Sequence, residues 1–428
     1  MPAAAATTLQ ELYDRGARYF EQGKLPLAQQ EFSKILRLNA NQPLACHYLG
    51  MIEVRQGNFP EAVRFFERAS RLDPQNPQIL SDLVAAYLAA GHADRALQRI
   101  DRLSRSSQND PELAMQMGLL FAQHALYPQA ILFFEQAGRQ KPGSAEASYN
   151  LALAYFRNQN YSGAVRVLES SRDRFAGHGS FFSLLGSAYV KLDDSQRALK
   201  NLRQAVVLEP ANLDAVYDLG IGLAKNNELE EAQQLFESKR SQFPKASKMW
   251  FGLGTIAYLR GNSAEAERAF QESLRLEPNA ADFYAALGDL YSGNGDSQRA
   301  GAAYTKATQL EPRQAAYHYK AGVNFLKLQQ QPSAVEAFLK ALACDPQNAD
   351  AYYNLGKIYA SDGKVTKAAA RFEKAVRLDR RHMEAHYQLG LVYRKLGDKT
   401  KAAEAMKQFA ALKAERDREL KHEEATKP

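Results

Sequence analysis

Residues 353–372 read Tyr353-Asn-Leu-Gly-Lys-Ile-Tyr-Ala-Ser-Asp-Gly-Lys-Val-Thr-Lys-Ala-Ala-Ala-Arg-Phe372. Leu355 and Tyr359 fall four apart, as do Ala368 and Phe372. That spacing puts side chains on one face of a helix. Gly363 lies between the two runs, and glycine ends a helix in the left-handed conformation without steric cost. The stretch predicts two helices joined by a short turn.

The same letters return every 34 residues in both directions. Alanine stands at Ala28, Ala62, Ala96 and each 34th position to Ala402, twelve times without a gap. Twelve residues before each alanine stands a glycine, except at Val84 and Ala152. Leucine usually precedes it (Leu49, Leu151, Leu389), and an aromatic usually follows three later (Tyr87, Tyr155, Tyr291). Four after the alanine come Phe32, Phe66, Phe338 and their equivalents. A fixed period of this length signals an array of one supersecondary unit. Glycine inside a helix costs roughly 1 kcal/mol relative to alanine. Its return in ten copies implies a close approach, read here as two helices crossing.

The ends of the helices are marked as well. Pro74, Pro142, Pro210, Pro278 and Pro346 follow second helices, and proline pushes the residue before it out of the helical region. Asn76, Asp110, Ser144, Asn212 and Asn348 are expected to cap the helices that follow, with Pro77 and Pro111 at first helical positions.

With Leu-Gly-x-x-Tyr, then Ala, Phe and a late Pro in most copies, the chain resembles the tetratricopeptide repeat, a helix–turn–helix unit of 34 residues. The resemblance covers residues 9–416, as twelve repeats running 9–42, 43–76 and onward to 383–416. It implies an all-α fold, a right-handed α-solenoid of antiparallel helix–turn–helix repeats whose first helices line the concave face. Residues 1–8 read as a lead and 417–428 as a charged helical extension. At 175–179, two glycines replace the proline and the cap. A flexible junction is expected there.

In such an array each unit packs on its neighbours and no single central core exists. The formal charge is +7; residues 1–212 hold 23 basic and 20 acidic groups and the remainder 32 and 28. This reads as an even spread, whereas nucleic acid would want a concentrated patch, so nucleic acid is not an expected partner. Cys46 and Cys344 lie in repeats 2 and 10, too few for a disulfide framework. No stretch approaches 18 apolar residues, so no membrane span is expected. A cytoplasmic location is expected if Met1 is the native start; a trimmed signal peptide would make it periplasmic or secreted.

Chemistry is sparse. There is no Walker-type loop, no Gly-x-Gly-x-x-Gly after a strand and no Gly-x-Ser-x-Gly elbow. His382-Met-Glu-Ala-His386 spaces two histidines four apart, but a catalytic metal wants three protein ligands. No catalytic residue, cofactor or metal is expected, and the chain does not read as an enzyme.

Function is then expected at positions that vary while facing the groove. Three before the small position stand Tyr149, Tyr217, Phe251, Tyr319, Tyr353 and Tyr387, with Tyr13 and His47 in the first two copies. Five after it stand Arg157, Lys191, Lys225, Lys327 and Lys395, with Arg55 earlier and Lys357 nearby. Interleaved tyrosines and cations suit an extended peptide with acidic side chains or a free carboxylate. The competing readings are that the aromatics pack on the next unit and that the cations merely favour helix C-termini. The expected function is a scaffold that binds a protein or peptide along the groove. The alternatives are a regulatory or targeting subunit of an enzyme, secretion or envelope-assembly complex, and an RNA-associated solenoid.

Overall fold

The computed structural model describes residues 2–425, with side chains over 9–419. Among these residues every regular element is helical. The chain divides into two compact units, Met1–Gly222 and Leu223–Pro428. Each is an α-solenoid: a first helix packs on the second helix of its own repeat, and that second helix on the next first helix. Core residues form several separate clusters along each unit, as nearest-neighbour stacking requires.

First helices of the interior repeats span 13 residues, as in Pro43–Arg55, Pro77–Ala89 and Ala349–Ser361. Second helices span 14 in most repeats, as in Phe59–Leu72, Ser263–Leu276 and Val365–Leu378. The expected caps are in place. Asn76 accepts from the Gln78 and Ile79 amides, Asp110 from Leu113, Ser144 from Ala147, Asn212 from Ala215 and Asn348 from Ala351. Second helices have caps that the sequence reading overlooked, at Asn160, Asp194, Asn262 and Asp296. The first helix is continuous from Pro2 to Glu21, and the last runs from Lys399 to Ala425.

The comb of alanines is buried throughout, none more than 4 % exposed. The glycines have a more specific partner than a crossing backbone. A Cβ placed on Gly50 would lie 2.6 Å from the Phe66 ring, on Gly118 2.5 Å from Phe134, and on Gly356 2.6 Å from Phe372. Gly16, Gly254, Gly288 and Gly322 likewise seat the aromatic ring sixteen residues later, whereas Gly186 seats Leu202 and Gly390 seats Met406. Where the seat carries a Cβ, the ring is gone: Val84 shares a cluster with Ile100, and Ala152 with Leu168.

Turns between the two helices repeat one backbone device. Gly57 (φ 77°) and Gly363 (φ 71°) are left-handed there, and so are Ala125 (56°), Gln159 (61°), Asp193 (57°), Asn227 (64°) and Gln329 (58°) at the equivalent non-glycine positions. The turn is thus imposed by stacking even at Ala125, Gln159 and Gln329, which resist it at roughly 1 kcal/mol or more each, while Asp193 and Asn227 adopt it more readily.

Neighbouring repeats are also tied by hydroxyls. Tyr87 donates to Glu67 at 2.6 Å, Tyr155 to Glu135 at 2.6 Å and Tyr189 to Glu169 at 2.8 Å. Burial first, and then the bonded carboxylate, push these phenols above their ordinary pKa. This explains why the aromatic three after the seat, whether glycine, Val84 or Ala152, is so often tyrosine.

At the expected junction, the second helix Tyr161–Glu169 gives way to a 3-10 turn, Arg172–Phe175. Phe175 is buried and stacks on Phe181 at 4.6 Å. Gly179 opens the next helix against the Glu209 side chain, whose carboxylate accepts from the Ser180 amide at 2.9 Å. Glu209 caps that helix from a distant position in place of a local Asn or Asp.

Candidate functional site

The first helices carry side-chain links from one repeat to the next. His47 Nε2 lies 2.6 Å from Asp82, Ser187 donates to Asp218 at 2.6 Å, and Lys327 donates to Ser292 at 2.7 Å. Consecutive first helices therefore stand side by side and present a shared face within each unit.

On this face in repeats 1–4 lies a pocket of about 420 Å³. Its origin is a local run of small residues. The first helix Pro77–Ala89 carries Ala85, Ala86 and Ala89 toward the pocket. At the matching positions repeat 2 has Met51, Ile52 and Arg55, and repeat 4 has Leu119, Leu120 and Gln123. Short side chains between long ones leave a hollow. Phe20, Met51, Val54, Phe66 and Leu120 supply most of the remaining apolar wall.

Polar groups stand at fixed places around it. The Arg55 guanidinium lies 3.9 Å from the Phe20 ring centroid and donates to the Phe20 carbonyl at 3.0 Å. Asp82 is held by His47 and by the Gln78 amide at 3.3 Å. His124 completes the lining. An apolar chamber with a few fixed polar groups is the general form of a recognition pocket, and this volume lies in the ordinary range for one.

The tyrosine series occupies a different kind of place. Tyr149, Tyr319 and Tyr353 are half-buried, and burial is the main cause that raises their pKa. Tyr319 packs on Phe338 at 5.8 Å and Tyr353 on Phe372 at 5.9 Å; Tyr149 lies 6.4 Å from Phe175, and Phe251 stacks on Phe283 at 4.5 Å. Tyr217 is half-buried too. Tyr387 packs on Phe409 at 5.1 Å and is 40 % exposed. These rings join helices as well as showing an edge to solvent.

The cationic series is solvent-facing: Arg157, Lys191, Lys225, Lys327, Lys357 and Lys395 are all exposed. Lys357 sets its ammonium 5.6 Å from the Tyr353 ring centroid, a juxtaposition of tyrosine and cation. Tyr149, Arg157, Lys191 and Tyr217 belong to the first unit and the rest of the series to the second. In repeats 9 and 10 the face also carries acid. Asp289 accepts from Lys320 at 2.5 Å and from the Tyr304 hydroxyl at 2.7 Å.

The sequence reading passed over Ala85, Ala86 and Ala89 because it looked for large or charged residues. The available signal was the reverse, small residues where adjacent copies are large.

The histidine pair is engaged locally. His382 caps its helix by accepting from the Ala385 amide, and its ring lies 4.7 Å from Tyr353. His386 sets its Nε2 3.1 Å from the Arg380 carbonyl. Among the described residues no group of three or more His, Cys, Asp or Glu side chains is placed to hold a metal. Cys46 is buried and Cys344 exposed, both as free thiols. No helix among the described residues is long and apolar enough to cross a membrane.

A sequence model of the tetratricopeptide repeat matches residues 13–77, 183–241, 217–281 and 353–416, more than half of the chain. The chain belongs to the tetratricopeptide repeat family. Related repeat models match 53–120, 269–302 and 324–363, and a model of anaphase-promoting complex, cyclosome, subunit 3 matches 123–205. Among solved structures, yeast Tom70 is 16% identical over 96% of this chain and 97% of its own, with a TM-score of 0.52, a likeness of fold. MamA from Desulfovibrio magneticus RS-1 is 29% identical over 40% of this chain and 97% of its own, with a TM-score of 0.38. The structure of the APC/C hetero-tetramer Cut9–Hcn1 is 14% identical over 94% of this chain and 87% of that one, with a TM-score of 0.45. The comparison with curated proteins returned no match.

Proposed function

We propose that this chain is a non-catalytic scaffold that binds a protein segment on the face of its first helices. The alanine-floored pocket of repeats 1–4 receives bulky apolar side chains of that segment. The observation that carries the reading is the pocket itself: an apolar hollow of about 420 Å³ with Arg55 and Asp82 held in place beside it. Within the second unit, the tyrosine and lysine series, among them Tyr319, Tyr353, Lys357 and Tyr387, offers a contact of its own. Half-buried tyrosines with one wet edge suit interfaces, and exposed cations suit carboxylates.

Filling the pocket tests this. Ala86→Leu with Ala89→Leu should abolish cross-linking of the partner segment to repeats 1–4 in extracts of the native source, while the circular dichroism spectrum stays unchanged. Cross-linking at wild-type level by the filled variant would sink the reading. Tyr319, Tyr353 and Tyr387 changed to alanine should weaken capture less, since their rings share their area with neighbouring helices.

A further inference from the structure

The formal charge of +7 is not even along the chain when it is followed repeat by repeat. Residues 1–350 hold 37 basic and 37 acidic groups, while 351–428 hold 18 and 11. The whole excess lies in the last two repeats and the helix end beyond them.

Within that region one helix face concentrates it. The second helix Val365–Leu378 carries Lys367, Arg371, Lys374 and Arg377, at spacings of four, three and three. Such residues are neighbours on one side of a helix, and like charges so placed destabilise it by roughly 0.2–0.5 kcal/mol per pair. None of the four forms an ion pair among the described residues. The single carboxylate on the helix, Glu373, accepts instead from the Tyr393 hydroxyl of the next repeat.

The stripe is a departure from the repeat. The position of Arg371 is alanine in the adjacent copies: Ala269, Ala303, Ala337 and Ala405, all buried. Arg371 and Lys374 set their charged ends each 5.9 Å from the Tyr352 ring centroid. The ring steadies both cations.

We infer that this stripe is a docking surface for an acidic α-helical segment of a partner protein, separate from the first-helix face. The match is one of pitch as well as charge. Four cations from Lys367 to Arg377, ten steps along the helix, cover about 15 Å at the helical rise. A partner helix with carboxylates three and four residues apart repeats at the same rise, so the two rows can run in register. The stripe carries no large apolar side chain to enter a bilayer, and Tyr352 is already flanked by Arg371 and Lys374, which leaves no free ring for a base to stack on.

The test uses the full chain and a fluorescein-labelled, capped, alanine-rich peptide of about 20 residues, long enough to be helical, with glutamates at i, i+4, i+7 and i+11. Binding by anisotropy should weaken about tenfold or more in the Lys367→Glu, Lys374→Glu, Arg377→Glu variant, and should fall steeply with salt. The neutral variant Lys367→Gln, Lys374→Gln, Arg377→Gln should lose binding as well, with an unchanged or higher melting temperature. Equal binding of a peptide with the same glutamates scattered around its helix would overturn the inference. So would unchanged affinity in both variants, or tighter binding of duplex RNA or of phosphatidylserine vesicles. Ala86→Leu should not affect this peptide, which separates the outcome from that of the pocket.

Discussion

Repeats 3 and 5 differ from repeats 10 and 11, among other positions, at the seat, and their second helices differ with it. In repeats 10 and 11 the seat is Gly322 or Gly356, a phenylalanine ring lies on it, and the second helix runs unbroken for 14 residues. In repeat 3 the seat is Val84, its partner is Ile100, and the second helix splits into Ala93–Leu97 and Ile100–Ser106. In repeat 5 the seat is Ala152, its partner is Leu168, and the helix stops at Glu169 before a 3-10 turn. These are the two repeats without glycine at the seat. Repeat 6, where Leu202 lies on Gly186, also keeps an unbroken 14-residue second helix, so a bare backbone at the seat goes with the continuous helix and a Cβ there with the interrupted one.

The sharpest way to break this comparison is to give an intact repeat the other seat. Gly356→Val should cost about 3 kcal/mol, because the Phe372 ring must leave its place. Phe372→Ile added to it should recover at least half of that loss in the urea midpoint; no recovery would remove the seat-and-ring explanation. The converse should rebuild repeat 3. Val84→Gly alone should cost about 2 kcal/mol through a cavity and helix entropy. With Ile100→Phe the loss should shrink, and amides around Gln98–Ile100 should gain protection from exchange.

Smaller effects test the other two devices. Tyr155→Phe should cost about 1 kcal/mol, the ordinary net value of one hydrogen bond. Because these phenols titrate higher when folded, their contribution is present below pH about 10 and fades as the pH climbs through the raised value. Alkaline melting should therefore be less steep in the Tyr155→Phe, Tyr189→Phe variant. Ala125→Gly and Gln329→Gly should each stabilise by about 1 kcal/mol, and Gly363→Ala should destabilise by a similar amount. At the junction of repeats 5 and 6, amides 170–178 should exchange faster than 206–212, because none of them sits in an α-helix while 206–208 do; equal rates would show that Phe175 and Glu209 close it as tightly as a proline and cap.

Much of this was legible in the sequence because the information is periodic. A fixed interval between small, apolar and aromatic residues defines two helices and a turn in every copy, and caps such as Asn76 and Asn348 need only their local neighbours. The family follows from the same interval. The left-handed turn at Ala125 or Gln329 was not legible, since neither residue favours it; stacking imposes it. The ring seated on a glycine such as Gly356 involves two residues sixteen apart whose meeting requires both helices to be packed. The pocket at Ala85, Ala86 and Ala89 is an absence of volume, visible only when Met51 and Leu120 stand on either side. The stripe from Lys367 to Arg377 could be counted from the letters, but its exposure and the diversion of Glu373 to Tyr393 depend on the neighbouring repeat. Sequence determined the unit and its repetition, because those rest on contacts within one helical pair. Tertiary structure decided where the array is bare, hollow or charged, because those depend on which side chains the adjoining copies bring alongside.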